Sequence, residues 1–378
     1  MPSLTGRSLV SVDELTGAEI MGLLKLAGEM GEAIGFGDAK RGRASMVLLD
    51  AILATMFYEP STRTRLSLES AMLRLGGQVT GFAQSTSSSA AKGESLADSV
   101  RIVSGYADLI VIRHPLEGAG RVAVRASRVP VINGGDGAHL HPTQTLTDLF
   151  LLQRRKGRIE GLRVGLLGDL RHGRTVHSLA PALARLGAEV VCIAPPQLGM
   201  PKSILRRVAE AAGSLPPEVH AVDEVVDSLD ALYVTRVQKE RFEEPGGHQD
   251  VAGAYRVDRA LLARAPEHML VMHPLPRVDE IDPSVDDDPR AVYFEQADGG
   301  VPVRMALIAA MLGLHDLPKV KVDERPLSPL PPVTDVAGHC DNERCVTAHE
   351  PGVPPEFVTF AGETVCAYCE RPIRGAGE

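Results

Sequence analysis

Between Phe57 and Arg65 the chain reads Phe-Tyr-Glu-Pro-Ser-Thr-Arg-Thr-Arg, with two arginines and three hydroxyl side chains in its last five residues. That set suits a phosphate if a helix begins there. The first amides of a helix have no intrahelical acceptor, and its dipole favours negative charge at that end. Ser61, Thr62 and Thr64 would add hydroxyl donors and Arg63 a guanidinium. The plainer reading is a Ser/Thr N-cap beside solvated arginines.

Other reactive residue types recur at similar places. A Ser- and Ala-rich stretch, Thr80 to Ala91, carries Ser85, Ser87, Ser88 and Ser89 and leads into Lys92-Gly93-Glu94; a loop of that length in a compact chain is usually functional. Arg113 follows the apolar run Leu109 to Ile112. A glycine-rich turn, Asn133 to Gly137, leads to His139, His141 and Gln144. Arg174 follows Gly168-Asp169-Leu170-Arg171-His172-Gly173. Arg236-Val237-Gln238-Lys239 and His273-Pro274-Leu275-Pro276-Arg277 each close an apolar run.

The elements that must position these groups can be read from spacing. Ile52 to Phe57 predicts a buried strand. Leu68, Met72 and Leu75 share one face of a helix that Gly76 and Gly77 end. Residues 13 to 34 predict a leading helix, and Leu146, Leu149, Phe150 and Gln153 a helix bridging to a second domain. Val164 to Leu167, Val190 to Ala194, Ala231 to Thr235 and Leu270 to Met272 read as strands at helix-sized intervals, which predicts a parallel sheet. Met305 to Leu314 predicts a final apolar helix. The polar residues singled out fall at carboxyl ends of these strands, where open α/β sheets bind ligands. Gly165, Gly168 and Gly173 do not fit the dinucleotide spacing, so no such cofactor is expected.

A chain of 378 residues is long enough for two or three domains with large cores, and its 44% hydrophobic content is that of a soluble protein. No apolar run reaches the roughly 18 residues of a membrane span, and the first residues lack the pattern of a signal peptide. A net charge of -9 argues against general nucleic-acid binding and leaves room for a local basic pocket. A cytoplasmic location is expected.

Taken together, these blocks resemble the aspartate carbamoyltransferase catalytic chain, in order, from about Leu15 to Leu314. The resemblance implies two doubly wound parallel-sheet α/β domains of the carbamoyltransferase type. Residues 1–140 with a closing helix at 301–315 would bind carbamoyl phosphate, and 141–300 would bind aspartate. By resemblance, Ser61, Thr62, Arg63, Thr64, Ser88, Lys92, Arg113, His141 and Gln144 contact carbamoyl phosphate, and Arg63, Thr64, Lys92, Arg113 and His141 are catalytic. Lys92, Arg174, Arg236, Gln238, Pro274 and Leu275 would hold aspartate. Ser88 and Lys92 would be lent by the neighbouring subunit of a homotrimer. The implied reaction is de novo pyrimidine synthesis of N-carbamoyl-L-aspartate, with no metal or other cofactor in the active site. Ornithine carbamoyltransferase usually has a cysteine where Pro274 stands, which favours aspartate. A non-catalytic assembly subunit would be expected to lack a phosphate arginine, Lys92 or His141, and all are present.

Residues 316–333 hold five prolines between Leu317 and Val333, which predicts a semi-rigid linker. In 334–378, Cys340 and Cys345 enclose four residues, and Cys366 and Cys369 enclose two. That is the spacing of a closed, four-thiolate structural zinc site in a small β domain, in a reducing compartment. The segment resembles the zinc domain of the aspartate carbamoyltransferase regulatory chain, in Cys345-Val346-Thr347, Glu350, Phe357 and Cys366 to Glu370. The nucleotide-binding domain that precedes it in that family does not precede it here, so a docking or stabilising role is expected, with this domain as the route to any larger assembly. A nucleic-acid-binding zinc ribbon is the rival, and the acidic balance of this segment speaks against it.

Overall fold

The computed structural model describes residues 3–37, 50–84, 92–236, 255–322, 333–334, 338–360 and 363–373. It divides into two compact units. One comprises Met1–Thr143, Val301–Val320 and Leu327–Glu378; the other is mainly Gln144–Gly300. The expected linker at 316–333 falls largely outside the described residues.

In the first unit, β1 (Ile52–Phe57), β2 (Gln78–Phe82), β3 (Leu109–His114) and β4 (Val131–Asp136) form an all-parallel sheet in the order β2-β1-β3-β4. The leading helix is α1 (Gly17–Ala33), later in its start than the 13–34 expected, because Thr16 and Glu19 close a reciprocal capping box. The helix after β1 is α2 (Thr62–Arg74), which stops before Gly76 at φ +88. α3 (Leu96–Val103) and α4 (Ala119–Ala126) supply Val100, Val122 and Ala123 to a core with Ala54, Met56, Ile110 and Ile112. The closing helix spans Gly300–Met311, and Pro302 lies against Gly31 of α1.

Two local expectations change. Thr80 to Phe82, read as the start of a loop, belongs to edge strand β2, which Gly81 allows by lying against the Thr55 carbonyl. The glycine-rich turn from Asn133 is strand as far as Asp136: pairing with β3 continues through an irregularity between Ile112 and His114.

The tail belongs to the first unit. β10 (Val333–Thr334), β11 (Phe357–Phe360) and β12 (Glu363–Cys366) make a small antiparallel sheet. Val346, Phe357, Tyr368 and the four cysteines join the core cluster that contains Val122 and Ala123.

In the second unit, β5 (Arg163–Leu167), β6 (Glu189–Ile193), β7 (Glu218–Val219), β8 (Ala231–Val234) and β9 (Leu270–Met272) form a five-stranded parallel sheet in the order β7-β6-β5-β8-β9. α5 (Pro142–Lys156), α6 (Arg174–Arg185) and α7 (Lys202–Ala212) are its longest helices, and Leu167, Ile193, Leu232, Val234, Val271 and Tyr293 sit in its core. No helix among the described residues is long and apolar enough to cross a membrane.

Candidate active site and metal centre

At the carboxyl end of β1 the chain turns through Tyr58-Glu59-Pro60 to Ser61, which is extended at φ -155 and precedes α2. Ser61 occupies the N-cap position but makes no side-chain cap bond, so its hydroxyl is not committed to the first amides of α2. The amides of Thr62, Arg63 and Thr64 come before the first intrahelical bond of this turn, from Arg65 N to the Ser61 carbonyl. Thr62 and Arg63 are exposed, while Arg65 is engaged by Glu69 at 2.7 Å one turn on.

The neighbouring strands β3 and β4 deliver the next two groups. Arg113 is buried, with Nη2 3.1 Å from a Glu59 oxygen and Nη1 donating to the Gly134 carbonyl at 3.3 Å. Gly135, at φ +119, makes room: a Cβ there would stand 2.8 Å from Arg113 Nη1. His141 is buried, and its Nε2 lies 3.3 Å from Thr64 Oγ1. Thr64, Arg113 and His141 are thus polar groups of one unit set on the carboxyl side of adjacent strands. Lys92 is exposed; Ser88 lies outside the described residues.

In the second unit three adjacent strands do the same. Gly168, after β5, approaches the Thr235 carbonyl too closely for a side chain, and buried Asp169 takes the His172 amide at 3.0 Å. This turn sets Arg174 in the first turn of α6. Arg236 follows β8 and is exposed, whereas Gln238 lies outside the described residues. After β9, His273 is buried: its Nε2 meets Glu280 at 2.8 Å, and its Nδ1 accepts from the Leu275 amide at 2.8 Å. Burial works to raise the Glu280 pKa, but bonds from His273 and backbone amides bring it below its usual value. The Pro274-Leu275 turn is therefore held from beneath, with Leu275 at φ +52 and a cis bond to Pro276. Gln144, also in this unit, donates to buried Asp148 at 2.7 Å, and Tyr233 and Gln296 donate to the same carboxylate.

Sequence reading missed Glu59, Asp148, His273 and Glu280 as positioning groups. Only His273 carried a signal, in standing directly before Pro274. His114, beside Arg113, is structural: burial pushes its pKa down to about 4, and Nδ1 accepts from the Leu116 amide.

In the tail, Cys340, Cys345, Cys366 and Cys369 are all buried, with sulfurs within 4.8 Å of one another and none in a disulfide. Cys340 and Cys369 are 3.6 Å apart, and Cys345 and Cys366 3.8 Å. A tetrahedron with metal–sulfur bonds of about 2.3 Å has edges of about 3.8 Å, so the four thiols fit a divalent ion. Contact with Cys345, together with burial, pushes the Cys366 and Cys369 thiols up, a conflict that a bound cation would relieve.

The tail docks on α4 and the loop before it. Glu117, buried, takes Asn342 Nδ2 at 2.8 Å and Arg371 Nη2 at 2.9 Å, and its backbone pairs with Arg344 and Val346. Arg125 meets Glu356 at 2.6 Å, and Arg121 meets Glu370 at 2.6 Å. Gly118, at φ +87, could not bear a side chain, because its Cβ would lie 2.6 Å from that of Tyr368.

Two parallel-sheet units with cationic turns on the carboxyl ends of their strands define an α/β protein that binds small anionic ligands there. Residues 7–154 match the family model of the aspartate/ornithine carbamoyltransferase carbamoyl-P binding domain, and 160–311 that of the Asp/Orn binding domain. The chain belongs to the aspartate/ornithine carbamoyltransferase family. Residues 333–376 match the metal binding domain of the aspartate carbamoyltransferase regulatory chain. Among its relatives, the aspartate carbamoyltransferase catalytic subunit of Thermococcus onnurineus is 51% identical over 312 residues, which are 82% of this chain and 98% of the relative. The M. jannaschii aspartate transcarbamoylase catalytic subunit superposes with a TM-score of 0.75 at 46% identity, covering 81% of this chain and 98% of its own. Aspartate transcarbamoylase from Trypanosoma cruzi, solved with carbamoyl phosphate and aspartate, gives 0.73 at 37% identity, covering 82% and 96%.

Proposed function

We propose that this chain is an aspartate carbamoyltransferase whose substrates are divided between its two units, and that its tail holds a structural zinc ion. The observation that carries the reading is the Thr64–His141–Arg113 group beside an uncapped helix start. The phosphate of carbamoyl phosphate sits on the first amides of α2, with Ser61, Thr62 and Arg63 as further donors. Thr64, Arg113 and His141 point at the carbonyl oxygen and stabilise the charge that grows there during attack. Gln144, by resemblance a carbamoyl contact, donates its amide NH2 to Asp148, which leaves its oxygen as the group that can accept.

Aspartate is gripped by Arg174 and Arg236, since guanidinium groups match carboxylates in bidentate fashion. Gln238 and the carbonyls of Pro274 and Leu275 steer its amine. The amine lone pair forms the new C–N bond to the carbamoyl carbon, and the C–O bond to phosphate breaks. The departing phosphate takes the amine proton, so no protein base is needed, and positioning supplies much of the acceleration. The product feeds pyrimidine synthesis in the cytoplasm.

The active assembly is a homotrimer in which Ser88 and Lys92 serve the neighbouring subunit's site; the exposed Lys92 is consistent with that reach. Mixing Lys92→Ala chains with Arg63→Ala chains, each inactive alone, should restore part of the activity, because some interfaces then carry a whole site. Once subunit exchange is verified by mass spectrometry, mixed trimers without activity would argue against shared sites.

A further inference from the structure

We propose that Glu370, in the metal-binding tail, is a positioning residue for catalysis: through His139 it fixes the segment that carries His141. The proposal rests on the reading of His141 as a substrate contact. His141 lies two residues beyond His139, in the connection from β4 to α5. That connection is organised around the fully buried carboxylate of Asp136. Asp136 accepts from Gly118 N at 2.8 Å, Asn133 Nδ2 at 3.0 Å and Leu140 N at 3.0 Å, and meets His139 Nδ1 at 3.1 Å. The bond to the Leu140 amide sets the residue directly before His141.

The other nitrogen of His139 faces the tail. Nε2 is buried and, among the described residues, has no hydrogen-bond partner; the Glu370 carboxylate stands 3.7 Å from it. Burial opposes a charge on this ring, yet Asp136 and Glu370 together push its pKa up to about 10. The His139 ring therefore lies between two carboxylates that both favour its charged form, one from the active-site turn and one from the tail. Glu370 is itself pinned, taking Arg121 Nη2 of α4 at 2.6 Å. It also occupies φ +58, where glycine would be the less strained choice. The backbone at this position disfavours a side chain, and the side chain that stands there reaches the turn of the active site.

Losing the carboxylate frees one side of His139, slackens the Asp136 turn and lets the His141 ring drift from its 3.3 Å contact with Thr64. Small displacements of this kind are costly to catalysis. Docking in general is a separate matter, because Glu356 pairs with Arg125, one turn beyond Arg121 toward the C-terminal end of α4.

The test compares Glu370→Gln, Glu370→Gly, His139→Gln, the double variant Glu370→Gln/His139→Gln, and Glu356→Gln as the docking control, in the full chain with its metal content measured. Glu370→Gly suits the backbone and guards against a turn that fails to fold. The expected result is kcat lowered about ten-fold by either Glu370 variant, with KM for aspartate little changed, metal content intact and Glu356→Gln near wild type. The double variant should lose no more than the worse single one, since both act on one contact. Unchanged kcat in metal-replete Glu370→Gly, additive losses in the double variant, or an equal loss in Glu356→Gln would overturn the proposal. His141→Asn separates the two levels of the argument. If it leaves kcat intact, the role of His141 falls and this proposal with it; if it abolishes turnover while Glu370→Gly leaves kcat unchanged, only the positioning role falls.

Discussion

Replacing Arg113 by methionine should lower kcat by roughly 10²- to 10³-fold, a loss of about 2.7–4 kcal/mol of transition-state stabilisation. The expectation follows from where the guanidinium lies. It is buried, aimed past Gly134 and Gly135, and held by Glu59, so it is organised before substrate arrives and needs no rearrangement as charge develops. Methionine keeps much of the volume and removes only the charge and its donors. Glu59 is partly exposed and can turn to water, so the fold should survive. KM for carbamoyl phosphate should also rise, because the same cation serves the phosphate. Steady-state kinetics with a melting curve checks this. A folded variant that retains more than a tenth of the wild-type kcat would remove Arg113 from the chemistry.

Stripping the metal, or making Cys366→Ser, should unfold the tail. The buried apolar set of the tail is small, chiefly Val346, Val365, Phe357 and Tyr368, so metal ligation must supply much of its folding free energy, on the order of 10 kcal/mol. The damage should extend into the first unit. Glu117 would keep its buried carboxylate and lose Asn342, Arg371 and two backbone partners at once. Arg371 is half exposed, so its ion pair counts for little, but leaving a buried carboxylate without donors is costly. The melting temperature should fall by about 5 °C or more, and a protease should cut between residues 338 and 373. A chelated chain that melts at the same temperature and resists cleavage would show that the tail folds without metal.

The strands were legible because parallel sheets buried on both faces are written as short apolar runs: Ile52–Phe57 and Leu270–Met272 have the bounds that their sequences predict. Edge strands were not. β2 contains Gln78, Thr80 and Gly81 and is largely exposed, so its sequence carries no apolar signal. The cationic groups could be singled out because arginines, histidines and hydroxyls stood at strand ends, and the four cysteines because metal spacing is local. Their supports could not. Asp148 gathers Gln144, Tyr233 and Gln296, the last of them 148 positions away from it, and Glu117 meets the tail 225 or more residues on. Such partners are chosen by the fold, and a lone acidic residue on a helix or loop announces nothing.

The reaction itself is decided by incubating the purified, metal-loaded chain with carbamoyl phosphate and either L-aspartate or L-ornithine and then separating and identifying the products. The expected products are N-carbamoyl-L-aspartate and equimolar phosphate from the first mixture and little citrulline from the second. Citrulline as the dominant product, or no carbamoyl transfer to either amine by a folded chain, would contradict the proposed reaction.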